Sequence, residues 1–366
     1  MSTQHTAIPC AILRGGTSRG AYFHRSDLPE DELHRNRILL RVMGGPDTLQ
    51  IDGIGGGHPL NNKVAIVNPS HRDDADIDYL FLQVTPQESI VSDDQNCGNI
   101  LAGVGPFAIE TGLLDAGAPH TKVRIHMVNS GNLCESTIET PDGAVNYTGD
   151  TEIDGVPGSS APIICDFLDV AGSACGELLP TGNTIDTFDD VEFTCVDNGM
   201  PVVVLRAEDF GINGYESPEE LDASEALKSR LESLRLKVGP LMNLDDVAEK
   251  TVPKMCLVAP PRDGGHISTR TFIPHVCHRS IGVLGAVSVA TACLFPGSVT
   301  SRIAQVPDGR EKTMVIEHPT GSFALRLVVD DSDAQSISVE KAGVIRTARL
   351  LFRGEVFVPS AVRDGS

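Results

Sequence analysis

The 366-residue chain has no tryptophan, and aromatic residues make up only 4% of it. Its cores must therefore be built from Val, Ile, Leu and Ala. Positive charge is also scarce: 29 Lys and Arg against 50 Asp and Glu give a net charge of −21. Such a field repels phosphate backbones and anionic bilayers, so neither nucleic acid nor a membrane surface is an expected partner. No apolar run approaches the ~18 residues of a transmembrane helix. The opening MSTQHTAIPCAILRGG lacks the basic region and apolar stretch of a signal peptide. The nine cysteines form no C-x-x-C pair, which reads as reduced thiols in a cytoplasmic protein. There is no Walker A sequence, and Asp52–Gly57 misses the last glycine of a dinucleotide fingerprint because His58 stands there.

What is present suits two α+β domains. The length predicts two, and 36 Gly with 23 Pro point to many tight turns between strands. Three landmarks of the first half recur in the same order in the second. A glycine turn between extended segments contains Gly16 and then Gly199. A lysine opens an apolar strand at Lys63 and again at Lys254. A cysteine precedes a small-residue apolar helix at Cys97 and again at Cys277. The offsets are 183, 191 and 180 residues, so the chain reads as a divergent duplication. Both cysteine-led helices lack a polar face and need enclosure on all sides. The expected architecture is a sheet wrapped around one buried helix in each half. The domains expected are 1–184, completed by a C-terminal strand over 344–358, and 185–343. Strand patterns lie over Val123–Val128, Ala161–Leu168, Val191–Val196, Met314–Ile316 and Phe323–Val329. Surface helices are expected from Leu33 to Met43 and from Ser217, a capping box with Pro218 following, to Gly239.

Several motifs resolve to ordinary structure. Gly16-Thr17-Ser18-Arg19-Gly20 matches a nucleophile elbow, but no long helix follows, so a turn between strands is expected. Asp74, Asp76 and Asp78 lack the glycine and distal glutamate of a calcium loop. His275, Cys277 and His278 crowd four residues, yet no second ligand cluster follows, and no metal is expected.

Cys97 and Cys277 stand apart from the other cysteines because each is placed at the start of a buried helix. Free N–H groups and the positive dipole end there favour a thiolate or a bound carboxylate. Cys97 sits in the polar run Asp93–Asn99, and a reactive thiol is the better reading there. Lys63 follows Asn61-Asn62 and opens a strand of four apolar residues, a setting for a desolvated amine.

The segments RGGTSRGAYF, QIDGIGG, KVAIV, QNCGNILAGVGPFAIE, TGN, DNGMPVV and CHRSIGVLGAVSVATA resemble the methylaconitate isomerase (PrpF-like) family over essentially the whole chain. The resemblance implies the fold of diaminopimelate epimerase: two pseudo-symmetric halves, each with strands wrapped around a central helix. It also implies a cofactor-independent isomerase of a small polycarboxylate. The reaction would be keto–enol tautomerisation of an unsaturated tricarboxylate from aromatic (gallate) breakdown, or an allylic proton shift in 2-methylaconitate or a related aconitate or itaconate. It assigns catalytic roles to Lys63 and Cys97, with Cys277 as a matching second thiol.

A polyanionic substrate needs local cations and donors in so acidic a protein. Arg14, Arg19, Arg270 and Arg279 flank these segments, with His275 and His278 beside them. Thr17, Ser18 and Ser280 can donate to carboxylates. Asn96, Gly98 and Asn99 around Cys97, Ile281 and Gly282 at the second helix start, and Asn198 in the second glycine turn complete the expected binding set. An amino-acid epimerase would need a carboxylate for an α-ammonium group, and none is evident. A non-catalytic binding protein would not need both Lys63 and Cys97. The oligomeric state is open, a homodimer included.

Overall fold

The structure, a computed structural model, describes residues 4–93, 96–330 and 337–363. Asp94 and Gln95 of the polar run before Cys97 lie outside the described residues. Among the described residues sixteen strands follow one another. They are β1 (His5–Gly15), β2 (Ser18–His24), β3 (Lys63–Pro69), β4 (Ile77–Val84), β5 (Val91–Ser92), β6 (His120–Met127), β7 (Asn132–Glu139) and β8 (Pro162–Leu168). Then come β9 (Asp186–Phe188), β10 (Val191–Asp197), β11 (Pro201–Arg206), β12 (Lys254–Ala259), β13 (Ile267–Phe272), β14 (Glu311–His318), β15 (Gly321–Asp330) and β16 (Ser338–Pro359). The helices are α1 (Glu32–Met43), α2 (Gly98–Leu101), α3 (Val104–Glu110), α4 (Pro218–Ala223), α5 (Glu225–Leu241), α6 (Val283–Leu294) and α7 (Ser360–Arg363).

The chain divides into two compact units, Met1–Asp166 with Ile345–Ser366, and Phe167–Val344. The first division thus falls inside β8, ahead of the expected position near 185. The reason is packing: Cys175 already belongs to the apolar cluster that holds Val191, Phe193 and Leu231.

In the first unit the strand order is β1-β2-β3-β4-β6-β7-β8-β16, and β16 pairs back with β1 to close the sheet. Closure removes the exposed edges that an open sheet of this size would present. Along it β1–β2 is antiparallel, β2–β3 parallel, β3–β4 antiparallel, β4–β6 parallel and β6–β7 antiparallel. The second unit repeats this alternation through β10–β11, β11–β12, β12–β13, β13–β14 and β14–β15. Lys63 opens β3 and Lys254 opens β12, and each stands at the same place in its unit's pattern. The fold is α+β and has the two similar halves that the sequence implies.

Both faces of β3 are buried, which is why it reads as a continuous apolar run. Val64 and Ile66 pack with Ile38, Leu39 and Met43 of α1 on the outer face. α1 ends as expected, at Gly44 in the left-handed conformation with φ 86°. The inner face meets α2 and α3. Those two are separated at Ala102–Gly103, where one continuous helix was expected. Pro106 has no N–H to return to residue 102, and Gly103 must pass the Tyr22 ring, whose Cζ would lie 2.8 Å from a Cβ there. The Tyr22 hydroxyl donates to the Ile100 carbonyl at 2.7 Å and satisfies it at the break.

In the second unit α6 is the enclosed helix, with ten of its twelve residues buried. The expected surface helix is two, α4 and α5. Ser224 between them is non-helical at φ −85°, ψ 85°, and the capping box of Ser217 and Glu220 is present.

Candidate active site

The β1–β2 turn and the start of α2 are built against each other. Asn99 donates through Nδ2 to the Thr17 hydroxyl at 3.0 Å and to Ser18 Oγ at 3.4 Å. Its Oδ1 lies over Gly16, where any Cβ would collide with it, and Gly16 has φ +49°. Glycine is thus required twice over at that position. Ser18 is buried and leads into strand β2, so the nucleophile-elbow reading is set aside by geometry as well. Arg19 donates from Nη2 to the Gly55 carbonyl at 2.6 Å, which fixes the glycine-rich 53–57 loop to the turn.

Cys97 is the residue that caps α2. Its backbone is extended at φ −130°, ψ 100°, and its carbonyl accepts from Leu101 N at 2.9 Å. The N–H groups that follow, from Gly98 onward, have no acceptor within so short a helix. Cys97 is half-buried, while the other eight cysteines are buried. Asn96 is half-buried next to it, with a buried side-chain carbonyl that has no hydrogen-bond partner among the described residues.

Lys63 is only 8% exposed. Its ammonium donates to Gln83 Oε1 at 2.9 Å and lies 5.1 Å from the centre of the Phe81 ring. The register pairs Lys63 with Gln83, Ala65 with Phe81 and Val67 with Tyr79. All six side chains therefore share one face of the sheet. Tyr79 donates from that face to the Cys97 carbonyl at 3.4 Å. Lys63 and the base of α2 consequently lie on the same, inner side of the first unit. Gln83 is in turn held by donation from Nε2 to the Asn62 carbonyl at 2.9 Å. Tyr79, Phe81 and Gln83 escaped sequence reasoning. Their i, i+2, i+4 spacing was a usable signal, but only the register shows that they meet Lys63.

The second unit treats its expected site residues unequally. Gly282 caps α6 with no side-chain acceptor and is exposed, with open space where a Cβ would stand. Ile281 is buried. The first N–H groups of this twelve-residue helix have no acceptor within the helix. Ser280 donates its N–H to His278 Nδ1 at 2.8 Å, and its hydroxyl is 3.2 Å from His318 Nε2. Burial holds the His278 imidazole below its ordinary pKa, so at neutral pH it is an uncharged acceptor.

Three expectations are corrected. Cys277 does not open a helix: it precedes α6 by six residues and bridges Phe272. Its side chain is 2% exposed within the apolar cluster of α4, α5 and the outer sheet face, and burial pushes its thiol up to about 12. Such a thiol stays protonated and inert at neutral pH. Arg270 pairs with Leu257, and Met255 with Phe272, so the Arg270 side chain shares the face of that same cluster. It donates to the Glu216 and Thr269 carbonyls at 2.6 and 2.8 Å. Asn198 is buried and anchors α6: its N–H donates to Ser288 Oγ and its amide to Thr291 Oγ1. All three are structural residues of the second unit.

Two further expected cations are surface groups. Arg279 pairs with Glu219 at 2.7 Å on the surface, and His275 is exposed, 3.9 Å from Glu232. Asp74 pairs with Arg72, Asp76 accepts the Arg124 N–H and Asp78 faces His126. Among the described residues no group of three or more His, Cys, Asp or Glu is placed to hold a metal ion.

Comparison with known proteins places the chain among isomerases. The sequence profile of the PrpF protein family matches residues 5–359. A (4E)-oxalomesaconate Delta-isomerase of Novosphingobium sp. (strain KA1) is 57% identical over 96% of this chain and 98% of the relative. A 4-oxalomesaconate tautomerase of Pseudomonas putida is 55% identical over 96% of each chain. The crystal structure of a methylitaconate-delta-isomerase superposes with a TM-score of 0.87 at 35% identity, over 99% of this chain and 98% of that one.

Proposed function

The chain belongs to the PrpF family, and on that premise we propose that it is an isomerase that tautomerises 4-oxalomesaconate, by moving a proton between carbon and oxygen. The observation that carries this reading is the shared inner face of β3 and β4. It sets a buried ammonium, Lys63, on the same side as the half-buried cap of α2, Cys97. The identity of more than half to relatives named for this substrate supports the substrate assignment.

The reaction is redox-neutral. A base takes a proton from a carbon beside a carbonyl, the electron pair passes into the carbonyl to give an enolate, and a proton returns on oxygen or at the far end of the conjugated system. Lys63 and Cys97 form the acid–base set. The free N–H groups that begin at Gly98 receive negative charge developing on oxygen. The Thr17 and Ser18 hydroxyls are fixed beside them through Asn99. Lys63 adds a positive charge that Phe81 and Gln83 hold in place, so little reorganisation accompanies the proton transfer.

The likeness to a methylitaconate isomerase favours one second reading, an allylic double-bond shift in a smaller polycarboxylate. The two share every step except where the proton returns. A panel of 4-oxalomesaconate, methylitaconate, 2-methylaconitate and diaminopimelate separates them, each followed by absorbance and by deuterium uptake from solvent. Turnover of 4-oxalomesaconate at least a hundredfold more efficient than that of the others is expected. Preference for methylitaconate or 2-methylaconitate gives the second reading, and turnover of none overturns both.

A further inference from the structure

A cavity of about 620 Å³ in the first unit lies beside the β1–β2 turn. Arg14, Thr17, Arg19, Asn61, Ser160 and Arg349 are among its walls, and among the described residues no acidic side chain lines it. In a chain of net charge −21, three arginines around one cavity without a carboxylate is the reverse of the average surface. Among the described residues none of the three makes an ion pair.

The arrangement is built rather than accidental. Arg14 of β1 and Arg349 of β16 are direct cross-strand partners, and like charges so placed repel each other. The Arg14 guanidinium is nevertheless held. Nη1 donates to the Gly16 carbonyl at 3.0 Å, to the Thr347 carbonyl at 3.1 Å and to the Thr347 hydroxyl at 2.9 Å, and Nη2 donates to Ser160 Oγ at 3.3 Å. Arg349 is exposed. An anion seated between the two guanidiniums relieves the repulsion, and a planar carboxylate fits the donor fork of arginine. Thr17 and Ser18 belong both to this cavity and to the turn that Asn99 locks to the start of α2. The register sets Arg14, Arg19 and Arg349 on the outer face of the sheet, with Ala21 and Phe23, so the cavity meets the inner candidate active site only at the tip of this turn.

We propose that this cavity is a carboxylate subsite, in which Arg349, beside the fixed Arg14, takes a substrate carboxylate remote from the reacting carbon and so selects tricarboxylates over dicarboxylates. The proposal rests on the polycarboxylate isomerase reading above.

The test compares Arg349→Gln with the wild-type protein. KM for 4-oxalomesaconate should rise about 10- to 100-fold, the effect of one lost charge-assisted contact, with kcat changed less than about threefold. KM for the dicarboxylate methylitaconate should stay within twofold. Affinity for tricarballylate, an unreactive tricarboxylate, measured by titration calorimetry, should fall by the same factor as for 4-oxalomesaconate. The thermal midpoint without ligand should hold or rise, because one member of a repelling pair has gone; a merely structural arginine would lower it. Unchanged KM and tricarballylate affinity in Arg349→Gln overturn the subsite and leave the isomerase reading standing. If the wild-type protein turns over no polycarboxylate, calorimetry still decides: arginine-dependent tricarballylate binding supports the subsite, and its absence overturns it.

Discussion

Replacing Lys63 with methionine separates chemistry from folding at the residue on which the proposed mechanism depends most. Methionine keeps the length and most of the volume of the lysine stem, so its contact with Phe81 persists. The losses are the Gln83 hydrogen bond at 2.9 Å and the cation over the ring. A hydrogen bond to a charged group contributes about 1.5–3 kcal/mol, and a cation–π contact about 0.5–2 kcal/mol. Against this, the folded protein no longer has to hold an ammonium with 8% exposure, which costs hydration. Gln83 is half-buried, so water can replace the lost donor. The net destabilisation should be about 1–2 kcal/mol, a few degrees in thermal midpoint for a unit of this size. The catalytic loss should be far larger. Removing a general acid or base lowers the rate by about 10²–10⁴, or about 2.7–5.4 kcal/mol of transition-state stabilisation. The assay is kcat/KM for 4-oxalomesaconate by absorbance, with thermal unfolding of the same sample by circular dichroism. A variant that unfolds within a few degrees of wild type yet keeps kcat/KM within threefold would refute the role given to Lys63.

The two cysteines singled out in the sequence should behave oppositely. Cys97→Ser should cost about 10²–10⁴ in kcat, whereas Cys277→Ala should leave kcat/KM within about threefold and lower only the unfolding temperature, since its side chain fills an apolar cluster. Mass spectrometry of native protein treated with iodoacetamide at pH 8 should find the label on Cys97 and not on Cys277, whose thiol burial raises to about 12; the opposite labelling pattern refutes the placement of both. Gly103→Ala should destabilise the first unit by about 2–4 kcal/mol, because a Cβ meets the Tyr22 hydroxyl and displaces it from the Ile100 carbonyl. Chemical denaturation measures this, and a stability within 0.5 kcal/mol of wild type would show that the α2–α3 break does not depend on that glycine.

Composition and spacing by themselves determined that the chain is a duplicated α+β protein. Apolar runs with turn residues at their ends mark β3, β8, β10 and β12 to within a residue or two, because buried strands leave a local signature. Lys63 and Cys97 could be singled out as candidates, since a lysine opens a buried apolar strand and a cysteine stands in the polar run Asp93–Asn99 just ahead of an apolar helix. Facing was not legible. Arg270 and Cys277 have the right neighbours in the chain, yet a strand's side chains alternate with period two, and the register of β12 against β13 puts Arg270 with Leu257 on the face of the outer cluster. A shift of one residue would have sent it to the other face, and no local pattern fixes that parity when both faces are buried. The division at Asp166–Phe167 depends on Cys175 joining a cluster whose other members lie later in the chain. The pairing of Lys63 with Gln83 follows from the β3–β4 register. Arg14 and Arg349, 335 residues apart, meet only because β16 returns to close the sheet against β1. Local sequence sets which residues must be buried and where the chain turns; the long-range pairing of strands alone decides which of them face one another across a site.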